Sequence, residues 1–121
     1  MTYLISLPYA VLLIMDPSSG EPPETMGQSL ISATDTCVAV GTRPDADGPV
    51  EIALVSTKTP VGAEYLQVFK DRILTPARKL ALVNALNETL LSVEVADEDI
   101  LLEVWVDSTH EPSKVIVRFD R

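Results

Sequence analysis

The sequence predicts an all-β protein: a single-domain antiparallel β-sandwich of about eight short strands over residues 1–121, with one short helix allowed between residues 60 and 86. Three observations carry this prediction. Apolar residues recur at a spacing nearer two than 3.6 in most periodic segments, the repeat of a strand with one buried face. Clusters of Pro, Gly, Asn, Asp and Ser break these segments roughly every ten residues, as in sandwiches and barrels. No linker, repeat or low-complexity tract divides the 121 residues, a length suited to one domain with a proper core.

The elements follow in order. Residues 9–15, YAVLLIM, form a continuous apolar run closed by Asp16-Pro17. Such a run suits a strand buried on both faces, or one whose outer face is covered. Residues 16–27, DPSSGEPPETMG, are a loop, because proline neither donates to a ladder nor continues a helix. As the longest irregular segment it is a candidate contact loop. Residues 28–34 read either as a helical turn or as an edge strand. Residues 36–43 read as a strand, and Asp47-Gly48 closes the turn after it. Residues 50–57, VEIALVST, alternate strictly. From Thr59 to Leu74 the reading divides between a helix capped at Thr59-Pro60 and a strand, with strand preferred from context. Residues 79–86 alternate, yet their Ala and Leu content also suits helix. The last strand is 114–119, KVIVRF, after a turn at 110–113.

The stretch from Leu90 to Asp107, LLSVEVADEDILLEVWVD, is expected to be the central element, a β-hairpin turning at Asp97-Glu98. In that register Val95 meets Ile100, Val93 meets Leu102 and Leu91 meets Val104, so one face is wholly apolar. The other face carries Glu94, Glu103 and Asp107 around Leu90, Leu101 and Trp105. A slip of one residue would exchange the two faces.

With 46% hydrophobic residues but only 5% aromatic, the core must be mostly aliphatic. Eighteen acids against nine bases give a net charge of −9, which argues against nucleic acid or an anionic membrane as partner and favours a basic protein. Eight acids and no base lie between Leu80 and Ser113, whereas Lys70, Arg72, Arg78 and Lys79 crowd together before them. An acidic side and a less acidic side are therefore expected. The lone Cys37 forms no internal disulfide and fits a reducing compartment; in TCVAV it reads as a buried structural thiol. No Lys or Arg precedes Arg43, Pro8 interrupts the first apolar run, and that run is too short to span a bilayer. A cytoplasmic protein without a membrane segment is expected.

No residue set dictates a reaction. The single His110 sits in a turn beside Glu111-Pro112 without a second ligand or nucleophile near it in sequence. No phosphate-binding glycine loop, metalloprotease helix, paired-cysteine motif or serine elbow occurs. Asp45-x-Asp47-Gly48 and Asp97-Glu98-Asp99 are acidic, but neither supplies the ligand number calcium needs, and both read as solvated turns. No metal, no cofactor and no catalytic residue is expected.

In the order of its segments the chain resembles the competence nuclease-inhibitor family, the competence protein J type. YAVLLIMD precedes a proline-containing loop, EPPETMGQ; SLISATDTCVAVGT follows; and LSVEVADEDILLEVWVD stands near the end. The turn at Ala96-Asp97-Glu98-Asp99 departs from the family in lacking its usual glycine, and the loop before Gln28 lacks its tryptophan. The resemblance implies a small acidic all-β protein that binds a DNA-degrading nuclease and blocks it. The combined expectation is a non-enzymatic inhibitor or immunity protein that neutralises a basic nuclease or toxin. Glu94, Glu103, Trp105 and Asp107 would form the contact, and Asp97, Glu98 and Asp99 its rim. The rival expectation is an assembly protein that homo-oligomerises through its sheets, consistent with a mean hydropathy of +0.21.

Overall fold

A computed structural model describes residues 1–24 and 29–120. Ten strands form two five-stranded sheets packed face to face. In chain order the strands are β1 (Thr2–Ile5), β2 (Val11–Met15), β3 (Ile31–Ala33), β4 (Cys37–Gly41), β5 (Val50–Ser56), β6 (Leu66–Leu74), β7 (Lys79–Asn84), β8 (Thr89–Glu94), β9 (Asp99–Val106) and β10 (Lys114–Phe119). Sheet I has the order β1-β5-β10-β9-β6 and sheet II the order β3-β4-β2-β7-β8. Every pairing is antiparallel except one seam, where β5 and β10 run parallel.

The β-sandwich is as expected, and two further strands join it. One is β1; the other, β3, makes Ile31–Ala33 of the ambiguous stretch 28–34 an edge strand, Gln28 lying outside the described residues. Segment 60–86 contains no helix: it supplies β6 and β7, so the helix allowed there is replaced by strands. The helical pieces among the described residues are two 3-10 turns, Pro8–Ala10 and Asp45–Asp47. No helix among the described residues is long and apolar enough to cross a membrane.

Alternation puts Leu12, Ile14, Val38, Val40, Leu80 and Leu82 of sheet II against Ile52, Leu54, Leu102, Val104, Val115 and Val117 of sheet I. All are essentially inaccessible to solvent, and burying each such side chain contributes roughly 1.5–3 kcal/mol. A second, smaller cluster lies on the outer face of sheet II: Met15, Cys37, Ala81 and Val83, with Leu13 against it. This is why β2 reads as an unbroken apolar run. The segment after β2 is tied down nearby. The Glu21 amide donates to Thr36 Oγ1 at 3.0 Å and Thr34 Oγ1 donates to the Glu21 carbonyl at 2.8 Å. Gly20 lies against Met15, where an added Cβ would come within 2.3 Å of the sulfur. Residues 25–27 of the expected loop lie outside the described residues.

Asp16 is the buried clamp of this region. It is inaccessible to solvent; one oxygen accepts from the Ser18 amide and hydroxyl, the other from the Ala77 amide at 2.7 Å. Burial by itself would raise its pKa, but these donors outweigh burial and hold the carboxyl below its usual range.

The expected hairpin between residues 90 and 107 does not form. β8 pairs with β7 in sheet II, through Leu80–Val93 and Leu82–Leu91, while β9 pairs with β10 and β6 in sheet I. Residues 95–98 are an arch that crosses from one sheet to the other. The inward-facing residues are the ones alternation predicts: Leu91, Val93, Val95, Ile100, Leu102 and Val104 all belong to or pack on the inter-sheet core. They line the same core from two different sheets rather than standing side by side in one.

Candidate functional site

The outward row of β9 follows from alternation. Since Ile100, Leu102, Val104 and Val106 face the core, Asp99, Leu101, Glu103, Trp105 and Asp107 face outward, over about 26 Å at ~3.3 Å per residue. Register places Glu103 between Arg118 of β10 and Lys70 of β6, and Trp105 between Ile116 and Gln67.

Glu103 is not a surface carboxylate. It is 5% exposed, and its Oε1 accepts from Arg118 Nη2 at 2.7 Å, Arg118 Nε at 3.2 Å, Trp105 Nε1 at 3.0 Å and Gln67 Nε2 at 3.1 Å. Burial opposes its ionisation, but hydrogen bonds from Arg118 and Trp105, with the charges of Arg118 and Lys70, pull the pKa below the ordinary glutamate value. The Arg118 guanidinium lies 5.5 Å from the Trp105 ring centroid, a cation–π distance, and its Nη1 donates to the Thr59 carbonyl at 3.0 Å. Trp105 is half-buried, with its N–H used and one ring face toward the cation. Neither Arg118 nor Gln67 was foreseen, because strand order is needed to bring them beside residue 103.

Asp107 also works inside the chain. Its carboxylate accepts from the Ser113 amide and hydroxyl and from the Lys114 amide, at 2.7–3.1 Å, closing the β9–β10 connection. Burial raises its pKa, and these donors more than reverse the effect.

The rest of the expected site divides differently. Glu94 is exposed and belongs to sheet II, opposite Lys79, so it does not share a face with Glu103. Asp97, Glu98 and Asp99 are exposed on the arch and at the start of β9. Asp99 is paired with Arg72, Oδ1 to Nε 2.8 Å. Two further exposed acids join this end: the Asp35 carbonyl accepts from the Leu74 amide, and the Asp120 amide donates to Leu101.

The expected separation of charge is corrected here as well. The β6–β7 connection is hydrogen-bonded to the arch, Thr75 to the Asp97 and Glu98 carbonyls and Val95 to the Arg78 carbonyl. Arg72, Arg78 and Lys79 therefore lie at the same end of the sandwich as Glu94 and Asp97–Asp99. Sequence order kept them apart; the crossing connections bring them together.

The remaining features offer little chemistry. Cys37 is buried, and burial pushes its thiol up to about 11, away from nucleophilic use. His110 is exposed, 3.9 Å from Glu111. Among the described residues no three His, Cys, Asp or Glu side chains gather as a metal site. A groove of about 580 Å³ lies on the outer face of sheet II between Leu13, Ala39 and the Pro22-Pro23 segment and carries one carboxylate, Glu24.

No family model and no curated protein matches the sequence. Among solved structures, the chain is similar to ComJ, inhibitor of the DNA degrading activity of NucA, from Bacillus subtilis. The TM-score is 0.74 at 12% identity, over 99% of this chain and 94% of that one. The two share a fold along essentially their whole lengths, as the order of segments led one to expect.

Proposed function

We propose that this chain is a non-enzymatic protein inhibitor that binds a DNA-degrading nuclease and occupies its basic groove. The observation that carries the reading is the fold shared, end to end, with a nuclease inhibitor. The net charge of −9 supports it, since a nuclease that grips phosphates presents a basic surface. Exposed carboxylates would stand in for phosphates. Asp97, Glu98 and Asp99 at the arch make that contact, Glu94 flanks it, and Trp105 supplies the apolar anchor farther along the β9 row. Glu103 and Asp107 act indirectly in this scheme: the first fixes the Trp105 indole and the Arg118 guanidinium, the second fixes the β9–β10 connection.

The test titrates the purified protein into DNA degradation by a nuclease from the same source, beside an Asp97→Lys/Glu98→Lys variant. Both changes fall on exposed arch positions, so stability should hold within about 0.5 kcal/mol. Inhibition by the wild type that weakens with salt, and about tenfold or more in the variant, is the expected result. Absence of both a complex and inhibition would sink the reading; a complex indifferent to the variant would remove the arch from it.

A further inference from the structure

Each sandwich edge presents unpaired backbone groups, and proteins usually disarm such edges. Three of the four edges here are disarmed. β6 carries Lys70, Asp71 and Arg72 and a bulge between Gln67 and Phe69. β8 carries Glu94 and an irregular register against Leu82 and Val83. β3 is three residues long. β1, TYLI, has no charge, no proline and no bulge. It is also apolar and open: Tyr3 is 44% exposed, Leu4 65% and the adjoining Met1 54%. A cleft of about 260 Å³ beside Met1, lined by Leu54, Val93 and Phe119, continues that surface.

The hydrogen-bond phase of β1 is fixed. Met1 and Leu54 exchange both backbone bonds, at 2.9 and 3.2 Å. Antiparallel alternation then makes Tyr3–Ile52 and Ile5–Val50 the next bonded pairs and turns the N–H and C=O of Thr2 and Leu4 outward. We propose that this edge takes the β1 strand of a second copy of the chain, antiparallel about a two-fold axis at Tyr3, joining two copies of sheet I into one ten-stranded sheet. The arrangement is self-complementary, as a two-fold contact requires. Thr2 exchanges two bonds with Leu4 of the other copy, Leu4 exchanges two with Thr2, and Tyr3 meets Tyr3. Charge also selects this partner. Two chains of −9 repel over most of their surfaces, but β1 brings no carboxylate of its own to the contact. Added salt should therefore tighten the dimer, whereas it should weaken an electrostatic complex with a basic protein. The inference is independent of the inhibitor reading.

The experiment is sedimentation velocity from micromolar to millimolar protein at low and high salt, with melting temperature as the check on folding. The mass should rise from 13.1 kDa toward twice that value with concentration, and further with salt. Leu4→Pro removes an outward N–H that β5 does not use and should leave a folded monomer. If that variant fails to fold, Leu4→Lys, on the solvent side, replaces it. Tyr3→Cys should form a disulfide dimer under mild oxidation, because facing residues of a non-bonded antiparallel pair lie within disulfide reach; Thr2→Cys should not. A chain that stays monomeric throughout, self-association unchanged in the folded variant, or no Tyr3→Cys cross-link would overturn the proposal. So would a monomer whose Leu4→Pro variant loses nuclease binding, which would assign the edge to a strand of the partner.

Discussion

Removing Arg118 should harm the fold more than removing Glu103, although the two form one pair. Arg118→Met takes away the two donors at 2.7 and 3.2 Å and leaves a carboxylate that is 5% exposed. Breaking a buried pair in this direction costs ~3–5 kcal/mol when nothing else compensates. Gln67 and Trp105 still donate to the same oxygen, so the expected loss is about 2–3 kcal/mol. Glu103→Leu leaves a guanidinium whose side chain is 19% exposed and still bonded to Thr59. The Gln67 and Trp105 donors lose their acceptor, and the cost is about 1–2 kcal/mol. The double variant, with an apolar pair in place of the ionic one, should fall within about 1 kcal/mol of wild type. Urea unfolding of all four proteins at several pH values measures this. In the wild type the Glu103 pKa is depressed, so its contribution is complete above the unfolded glutamate pKa and is lost as pH falls through the lower folded value. In Arg118→Met burial prevails and raises the folded pKa, so protonation favours the folded state. The gap to wild type should narrow as pH falls from 7 toward about 4. A larger loss for Glu103→Leu than for Arg118→Met, or a gap that does not narrow, would refute the argument.

Two further outcomes are expected. Asp16→Asn should cost about 1–3 kcal/mol in urea unfolding, because an amide has one acceptor oxygen where Ser18 and Ala77 donate to two, and its NH2 would face one of those donors; the wild-type contribution is present above the unfolded aspartate pKa and is lost as pH falls through its depressed folded value. Cys37 should resist an aromatic disulfide reagent at pH 8 in the folded protein, being buried with its thiol near 11, and react at once in urea, as followed by absorbance of the released thiolate.

How much of this was legible in the sequence depends on which interaction fixed each feature. Face assignment needed only local alternation, and it holds for Leu91, Val93, Val95, Ile100, Leu102 and Val104. Pairing was not legible there, because an arch and a hairpin ask for the same alternation; one sets the two apolar rows facing, the other sets them side by side. A warning was present in the turn itself, since Ala96-Asp97-Glu98 lacks the Asn-Gly or Asp-Gly that a tight hairpin turn favours. By contrast the β7–β8 turn, with Asn84 accepting from Leu86 and Glu88 and Asn87 at φ 63°, is a local structure with its own chemistry. For the candidate site, the outward direction of Glu103 and Trp105 was legible. The Arg118 that neutralises Glu103 was not, because their adjacency comes from strand order. The mixing of arch carboxylates with Arg72, Arg78 and Lys79 has the same non-local origin.

The parallel seam between β5 and β10 governs the order in which the molecule can be completed. β10 is the last of the ten described strands and the middle strand of sheet I, seated between β5 and β9. Its parallel partners, Glu51 with Lys114 through Ser56 with Phe119, lie half a chain apart, a loop closure that must precede any reward from the contact. Before β10 arrives, sheet I exists only as two separate ribbons, β1–β5 and β9–β6, each with an open edge and a half-covered apolar face. During synthesis β10 emerges after the nine strands described before it. The chain thus passes through a stage in which the other nine strands have been made and sheet I still waits for its centre.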